Sequence, residues 1–362
     1  MQRFHHWQRQ AVVAGHSVHV FTGPSPFGRG WLSTDKEISP VHRMPRNYLE
    51  SLNVRWGPRR RTWAIDAHQR RFDLFIQSQV IDRCGVDFDV VIYSSVPSCR
   101  FQRKHSRGVL IYDCLDEWSG FESTPEDIGT RELAIARQAD LVFAVSKPLV
   151  TRLAHEVGPD KVVLIPNACD YDFFATAASA TRKTPDGVVR VGYTGSILHW
   201  FNWEAVYAIA CALPKSKIEL IGPYDNVPPA LPGNIRLLGR QPYSSLPHFV
   251  SGFDVCIIPF CEQDSLLIQS VSPIKLYEYL AAGKPVVSSP MPDALELAAE
   301  GIVHLARSPG EFVSQIHSAL TVKDDPTLIA RRQRIAQENS WSSRWQQIES
   351  CLPGYVKDGN RA

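Results

Sequence analysis

Short β-branched runs alternate with amphipathic stretches along the whole chain, the pattern of parallel sheets covered by helices. In the first half, the runs that predict strands are 18–21, 90–93, 109–112, 141–145 and 162–165. In the second half they are 189–193, 218–221, 235–238, 255–258, 285–288 and 302–305. Between the two sets lies 175–187, a small-residue stretch containing Ser, Thr and Pro that predicts a linker. The pattern predicts an α/β protein of two Rossmann-like, doubly wound domains, 1–174 and 188–340. A cleft between them is expected, and ligands are expected outside the carboxyl ends of the strands.

One stretch carries more chemistry than the rest. Residues 272–290 read SPIKLYEYLAAGKPVVSSP, a helix followed at once by a buried strand. Pro273 stands where a helix begins and Gly283 where a left-handed cap ends it. Lys275 and Glu278 are three apart, so an ammonium and a carboxylate leave the first turns side by side. The start of that helix has unsatisfied N–H groups and partial positive charge. Together these suit a phosphate-bearing ligand with a sugar diol, Lys275 for the phosphate and Glu278 for the hydroxyls. An exposed ion pair on a helix surface is the bland alternative.

Composition narrows the class. The chain has 362 residues, 44% hydrophobic and 21% charged, which is ordinary for a soluble globular protein of two domains. A net charge of +2 argues against wholesale nucleic-acid binding. The eight cysteines are scattered and form no C-x-x-C pair, so they read as reduced thiols in a cytoplasmic protein. No apolar run approaches the roughly 18 residues a membrane span needs, and the first residues have no signal-peptide core. Any membrane contact is therefore expected to be peripheral.

Several segments, in register, resemble the GT-B glycosyltransferases, especially the bacterial group 1 (family 4-like) enzymes that build surface polysaccharides. The 272–290 stretch resembles their donor-binding helix. Residues 162–170, VVLIPNACD, resemble the run that ends the family's N-terminal domain. Residues 191–196, VGYTGS, resemble the strand and turn that open its C-terminal domain. Residues 253–260, FDVCIIPF, resemble the strand before the donor loop. Residues 341–352 are similar to the helix that crosses back onto the first domain.

The resemblance implies a metal-independent hexosyltransferase with no cofactor, taking a nucleotide-sugar such as UDP- or GDP-hexose as substrate. The acceptor it implies is a hydroxyl on a glycan or lipid-linked molecule. The donor-binding set it implies is Gly195, Ser196, His199, Pro259, Ser272, Lys275 and Glu278. Of the histidines weighed, His5, His6 and His199, the last lies nearest the 195–196 turn.

The chain also departs from the family. Many retaining relatives carry a second glutamate eight positions before the one matched by Glu278, and here that position is Ser270. Many place an Arg and a Lys just after the turn, where this chain has Ser196 to Asn202 without a fixed cation. The diphosphate is therefore expected to rely on Lys275, the amides of Gly195 and Ser196, and the helix dipole. A strand and a glycine loop precede the opening helix in the family. This chain starts at that helix, so the first domain is expected to lack its N-terminal strand or the true start to lie upstream of Met1.

Three further features complete the reading. Residues 112–118, YDCLDEW, follow a predicted strand and resemble a turn of related polysaccharide enzymes. Asp116 is the candidate catalytic residue there, as an acceptor contact or base. A helix- or turn-capping role for Asp113 or Asp116 is the structural alternative. Asp87-Phe88-Asp89 has the D-x-D form of metal-dependent transferases but precedes its strand, and reads as turn chemistry. Segment 43–72 holds eight arginines with interleaved Trp and Tyr against Glu50 and Asp66. That composition suits peripheral contact with an anionic membrane at the inner face, or a solvated basic surface. A catalytically inactive GT-B homologue that binds nucleotide or partner proteins is the rival function, drawing on Ser270 and the missing basic pair. A sugar-nucleotide epimerase of the same architecture is a distant third reading, since its characteristic motifs are not seen in this sequence.

Overall fold

The computed structural model describes residues 3–18, 20–22, 41–43, 88–94, 108–121, 126–179, 187–225, 227–261 and 266–352. The chain forms two compact units, residues 1–165 with 345–362, and residues 166–344.

The first unit opens with helix α1 (Arg3–Val13) and the short parallel pair β1 (Val20–Thr22) and β2 (Val41–Arg43). Its main sheet is parallel in the order β3-β4-β5-β6, with β3 Val90–Tyr93, β4 Val109–Cys114, β5 Leu141–Ala144 and β6 Val162–Leu164. Helix α2 (Ile128–Gln138) links β4 to β5, and α3 (Lys147–Val157) links β5 to β6. Every residue of β4 and β5 is buried, as parallel strands covered on both faces must be. Leu110, Tyr112, Val142 and Ala144 meet Ile135, Leu149 and Leu153 of the helices to form this core.

The second unit begins with α4 (Tyr171–Ser179), β7 (Arg190–Thr194), α5 (Trp203–Ala212), β8 (Lys217–Ile221), β9 (Ile235–Gly239), α6 (Leu246–Ser251) and β10 (Val255–Ile258). It continues with α7 (Leu266–Ser270), α8 (Ile274–Ala281), β11 (Val286–Ser288), α9 (Pro292–Ala299), β12 (Val303–Leu305), α10 (Pro309–Thr321) and α11 (Pro326–Glu338). All six strands are parallel, in the order β12-β11-β10-β7-β8-β9. This is the doubly wound order, in which the direction of winding reverses between the unit's first and fourth strands, β7 and β10. The crevice at that reversal is where such sheets take ligands.

Helix α12 (Trp341–Cys351) closes the described chain, and from Trp345 onward it belongs to the first unit. There Trp345 packs on Trp7 and the Gln347 amide donates to the Leu164 carbonyl. Both sheets and the strand positions match the α/β, GT-B architecture expected from the sequence. The linker expectation needs correction: residues 175–179 continue α4, because Phe174 is buried in the second unit's core and carries the helix with it. By compactness the chain divides after Ile165, so α4 belongs with the second unit. The basic segment 43–72 lies outside the described residues, apart from the backbone of Arg43. Among the described residues, no helix is long and apolar enough to cross a membrane.

Candidate functional site

The switch point between β7 and β10 of the second unit holds the chemistry. Helix α8 sits there with the N-cap at Pro273, whose missing N–H costs nothing in that place. It ends in a Schellman arrangement: Gly283 N–H donates to the Leu280 carbonyl and Lys284 N–H to the Tyr279 carbonyl. Gly283 has φ 71°, the left-handed value that the motif requires. Leu276, Tyr277, Tyr279 and Leu280 bury around the helix and fix its rotation. Tyr279 then reaches the end of β7, where its hydroxyl accepts from the Thr194 amide at 2.7 Å.

That rotation places Lys275 between the two strand ends. Its ammonium lies 5.3 Å from the Tyr193 ring centre, at the end of β7, and 4.9 Å from the Phe260 ring centre, just past β10. Cation–π attraction replaces an ion pair. Among the described residues no carboxylate comes within ion-pair distance of it, so the surface-ion-pair reading does not hold. Desolvation pushes Lys275 down to about 8, partly opposed by Glu278. A lysine poised so is ready to regain full charge beside an incoming anion.

Glu278 is buried, 5% exposed. Burial raises its pKa, while Tyr243 and Lys275 pull the other way. The Tyr243 hydroxyl donates to Oε1 at 3.0 Å. Oε2 has no donor among the described residues and is available to a ligand hydroxyl.

The turn after β7 is locked into the sheet edge. Gly195 N–H donates to the Ile221 carbonyl at 2.8 Å and Ile197 N–H to the Pro223 carbonyl at 2.9 Å. The expected pair of phosphate-binding amides is thereby corrected: the Gly195 amide is taken up by β8, leaving Ser196 N–H. Gly195 contributes differently, through its missing side chain, which gives Lys275 room. The Ser196 carbonyl accepts from the Tyr193 hydroxyl at 2.8 Å, anchoring the turn on its other side.

The remaining predicted residues have mostly supporting places. Pro259 accepts the Asn202 amide through its carbonyl, tying β10's end to the loop before α5. Ser272 is fully engaged: its hydroxyl accepts from Asn167 N–H and donates to Asp293 at 2.6 Å, and its carbonyl accepts from the Asn167 amide group. It joins the 166–169 segment to the start of α8. His199 is exposed, edge-on to Trp200, with no hydrogen bond to another described residue. Ser270 is buried at the end of α7. Two residues that sequence reading missed are Tyr243 and Ser289. The Ser289 hydroxyl accepts from Phe260 N–H and donates to its carbonyl, holding Phe260 beneath Lys275. Neither carries a local signal, because each acts across tens of residues of chain.

In the first unit, the acidic turn after β4 separates into three roles. Asp113 is wholly buried and accepts from Arg3 at 2.9 and 3.0 Å and from the Trp7 indole at 3.1 Å. It is a structural ion pair, not a helix or turn cap. Glu117 pairs with Arg152 at 2.8 Å, and Arg152 also binds Glu132 at 2.8 Å. Glu132 in turn accepts the Tyr112 hydroxyl at 2.8 Å. Asp116, between them, has no partner for its carboxylate among the described residues, and burial pushes it up to about 7. That value suits proton transfer near neutrality. His5 and His6 are buried, with His6 pushed down to about 3 by burial, which makes it a neutral packing residue. Asp89 precedes β3 and its carbonyl accepts from Val109 N–H, a bond to the start of the neighbouring strand β4; Asp87 lies outside the described residues.

Known proteins resemble the chain in sequence and in fold. A family described as "Glycosyl transferase-like" matches residues 203–350, the span that carries Lys275 and Glu278. A Bacillus subtilis (strain 168) protein, TuaH, described as a teichuronic acid biosynthesis glycosyltransferase, is 26% identical over 266 residues. The match spans 66% of this chain and 65% of that relative's length. The Anabaena protein Alr3699/HepE, solved in complex with UDP, superposes with a TM-score of 0.68 at 16% identity, over 97% of this chain and 96% of that one. The same protein solved with UDP-glucose gives 0.63 at 17% identity, over 97% and 96%. Sucrose-phosphate synthase from Thermosynechococcus elongatus gives 0.68 at 17% identity, over 95% and 90%. The chain thus has the GT-B fold, and its second unit is similar in sequence to glycosyl transferase-like proteins.

Proposed function

We propose that the protein is a glycosyltransferase that moves a hexose from a nucleotide-sugar donor to a hydroxyl of a glycan or lipid-linked acceptor in surface polysaccharide synthesis. The observation that carries this reading is Lys275, held over Tyr193 and Phe260 at the switch point of the second unit's sheet. Glu278 beside it has one open carboxylate oxygen. An ammonium for a diphosphate and a carboxylate for a ribose diol are what a nucleotide-sugar asks for. The UDP and UDP-glucose complexes of the Anabaena protein favour uridine over guanosine as the donor base.

In the reaction, the bond between the sugar's anomeric carbon and the diphosphate oxygen breaks, and the diphosphate leaves with the electron pair. Lys275 and the Ser196 amide meet that growing charge in place of a metal ion, with no cofactor involved. Preorganised donors of this kind contribute the largest share of such catalysis. The acceptor hydroxyl attacks the anomeric carbon and gives its proton to Asp116, whose carboxyl is about half ionised near pH 7. A single displacement with Asp116 as base inverts the anomeric centre, so retention in the product would remove Asp116 from that role.

On this reading the protein works in the cytoplasm, and the composition of segment 43–72, rich in arginine with interleaved tryptophan, suits contact with the anionic inner face of the membrane. The testing experiment is a panel of UDP- and GDP-hexoses, read by nucleotide release in the presence of membrane-derived acceptor. Glu278→Ala should abolish donor binding; unchanged affinity would defeat the proposal. The second reading, a silent nucleotide-binding homologue, rests on the buried Ser270 at the position where many relatives carry a glutamate. It would be the outcome if nucleotide binds and no sugar is transferred.

A further inference from the structure

Glu278 does not stand alone on α8. Tyr243 lies in the loop that follows β9, in a single turn opened by Pro242. Its ring stacks on Phe173 at 5.6 Å and 24° and meets Phe174 edge-on at 6.0 Å, both on α4. These contacts leave the Tyr243 ring little freedom, and its hydroxyl ends on Glu278 Oε1. A carboxylate that is free to turn can offer either edge to a ligand. Tied at Oε1, Glu278 offers Oε2 in one orientation.

Building on the donor-site reading above, we propose that Tyr243 is the positioning residue that makes this site select ribonucleoside diphosphates over their 2′-deoxy counterparts. Tyr243 fixes the direction in which Glu278 meets the sugar diol. Its hydroxyl also favours the carboxylate form of Glu278 against burial, and the carboxylate accepts where a neutral acid would present a proton. Burial is the largest influence on Glu278 and opposes its ionised form, as does Asp170, ahead of α4; the chain's N-terminal ammonium, Tyr243 and Lys275 on the same helix favour it. The neighbouring Cys169 thiol is held neutral by burial. Removal of the Tyr243 hydroxyl leaves burial and Asp170 less opposed, so Glu278 takes up a proton at higher pH.

The test uses the full chain and four probes, UDP, GDP and their 2′-deoxy forms, by calorimetry at pH 5.5, 6.5 and 7.5. The wild-type protein should prefer the better ribonucleotide by about tenfold or more, the scale of a charge-assisted hydrogen bond. The preference is a ratio between two diphosphates, so titration of Lys275 cancels from it. Tyr243→Phe keeps the ring and its stacking. It should cut the preference to about twofold, with the largest loss at the lowest pH, since removal of the hydroxyl moves Glu278 toward its neutral form. Phe173→Leu, which spares the hydroxyl, should keep most of the preference whatever it does to the melting temperature.

A Tyr243→Phe protein that melts normally and keeps the wild-type preference at every pH would overturn the role given to Tyr243 alone. A wild-type protein that binds UDP or GDP without ribose preference would overturn the role of Glu278 and this inference with it. Failure of the wild-type protein to bind any of the four would overturn the donor-site reading itself.

Discussion

Gly195 and Lys275 are in contact across the switch point: a methyl group on Gly195 would lie 2.6 Å from Lys275 Cε and 3.1 Å from its ammonium nitrogen. Gly195 also has φ 137°, in the region that only glycine occupies without strain. The turn and the lysine therefore specify one another. Two stretches of chain 80 residues apart converge on a space the size of one side chain.

Substitution of Gly195 by Ala should accordingly act on the site more than on the fold. The backbone strain is on the order of 1–3 kcal/mol, and the added methyl displaces the Lys275 side chain from between Tyr193 and Phe260. Donor affinity should fall by about tenfold or more, with a drop of only a few degrees in melting temperature. Calorimetric titration with UDP checks this, and undiminished affinity would mean that the turn does not govern the lysine.

Lys275 sets an alkaline limit. In the free protein its ammonium loses its proton at about 8, so nucleotide binding should weaken as pH rises through that value. Binding of a diphosphate draws the proton back, so titrations above pH 8 should show proton uptake, seen as a dependence of the heat on buffer ionisation. Lys275→Arg stays charged and should remove the alkaline limb while losing some affinity to its altered shape. Lys275→Ala should reduce turnover by roughly 10²-fold or more.

Asp116 sets the acidic limit and has an opposite effect on stability. Its carboxyl is raised from 3.8 to about 7, so the folded chain holds that proton more tightly than the unfolded one. Stability from this residue is present below pH 4 and is lost as pH rises toward 7, whereas activity through a base appears over the upper part of that range. Asp116→Asn should therefore abolish transfer yet stabilise the protein at pH 8 by ~1–2 kcal/mol, allowing for solvent screening of a carboxylate that is not fully enclosed. Denaturant unfolding at pH 5 and pH 8, set beside product release, reads both effects. A variant that stays active would strip Asp116 of its role.

Asp113 makes the structural contrast. Its carboxylate is entirely enclosed and takes three bonds from Arg3 and Trp7, while Arg3 also donates to the Ile165 carbonyl at 2.8 Å. Arg3→Ala leaves that charge without its partner and should destabilise the first unit by about 3–5 kcal/mol. UDP affinity in the second unit should be unchanged. Two-step unfolding in which only one transition moves would be the expected trace; loss of UDP binding in this variant would mean the two units are not independent in this respect.

The architecture was largely legible in the sequence. Every predicted strand from 90–93 to 302–305 is a strand in the structure, and the signal is plainest in β5 and β10, whose wholly buried runs are uninterruptedly apolar because the sheet is covered on both faces there. The helix from Ile274 to Ala281 was equally plain, with proline at its start, glycine past its end and the ion-bearing positions between. The stretch at 175–179 misled, since small residues read as linker also make a good helix when Phe174 anchors them. The amides of Gly195 and Ser196 looked equivalent, and only the pairing of β7 with β8 shows that the first is already used.

Local pattern therefore determined the elements, their order and the pair Lys275 and Glu278, because those depend on neighbours within a turn or two of chain. Tertiary structure decided which charges are available: Asp113 sealed by Arg3, Glu117 by Arg152, Asp116 left open, and Glu278 held through one oxygen by Tyr243. Residues of similar chemistry in one short run thus acquired different roles. The physical reason is that burial and partners set the state of a charge, and both come from segments that the sheet brings together from far along the chain.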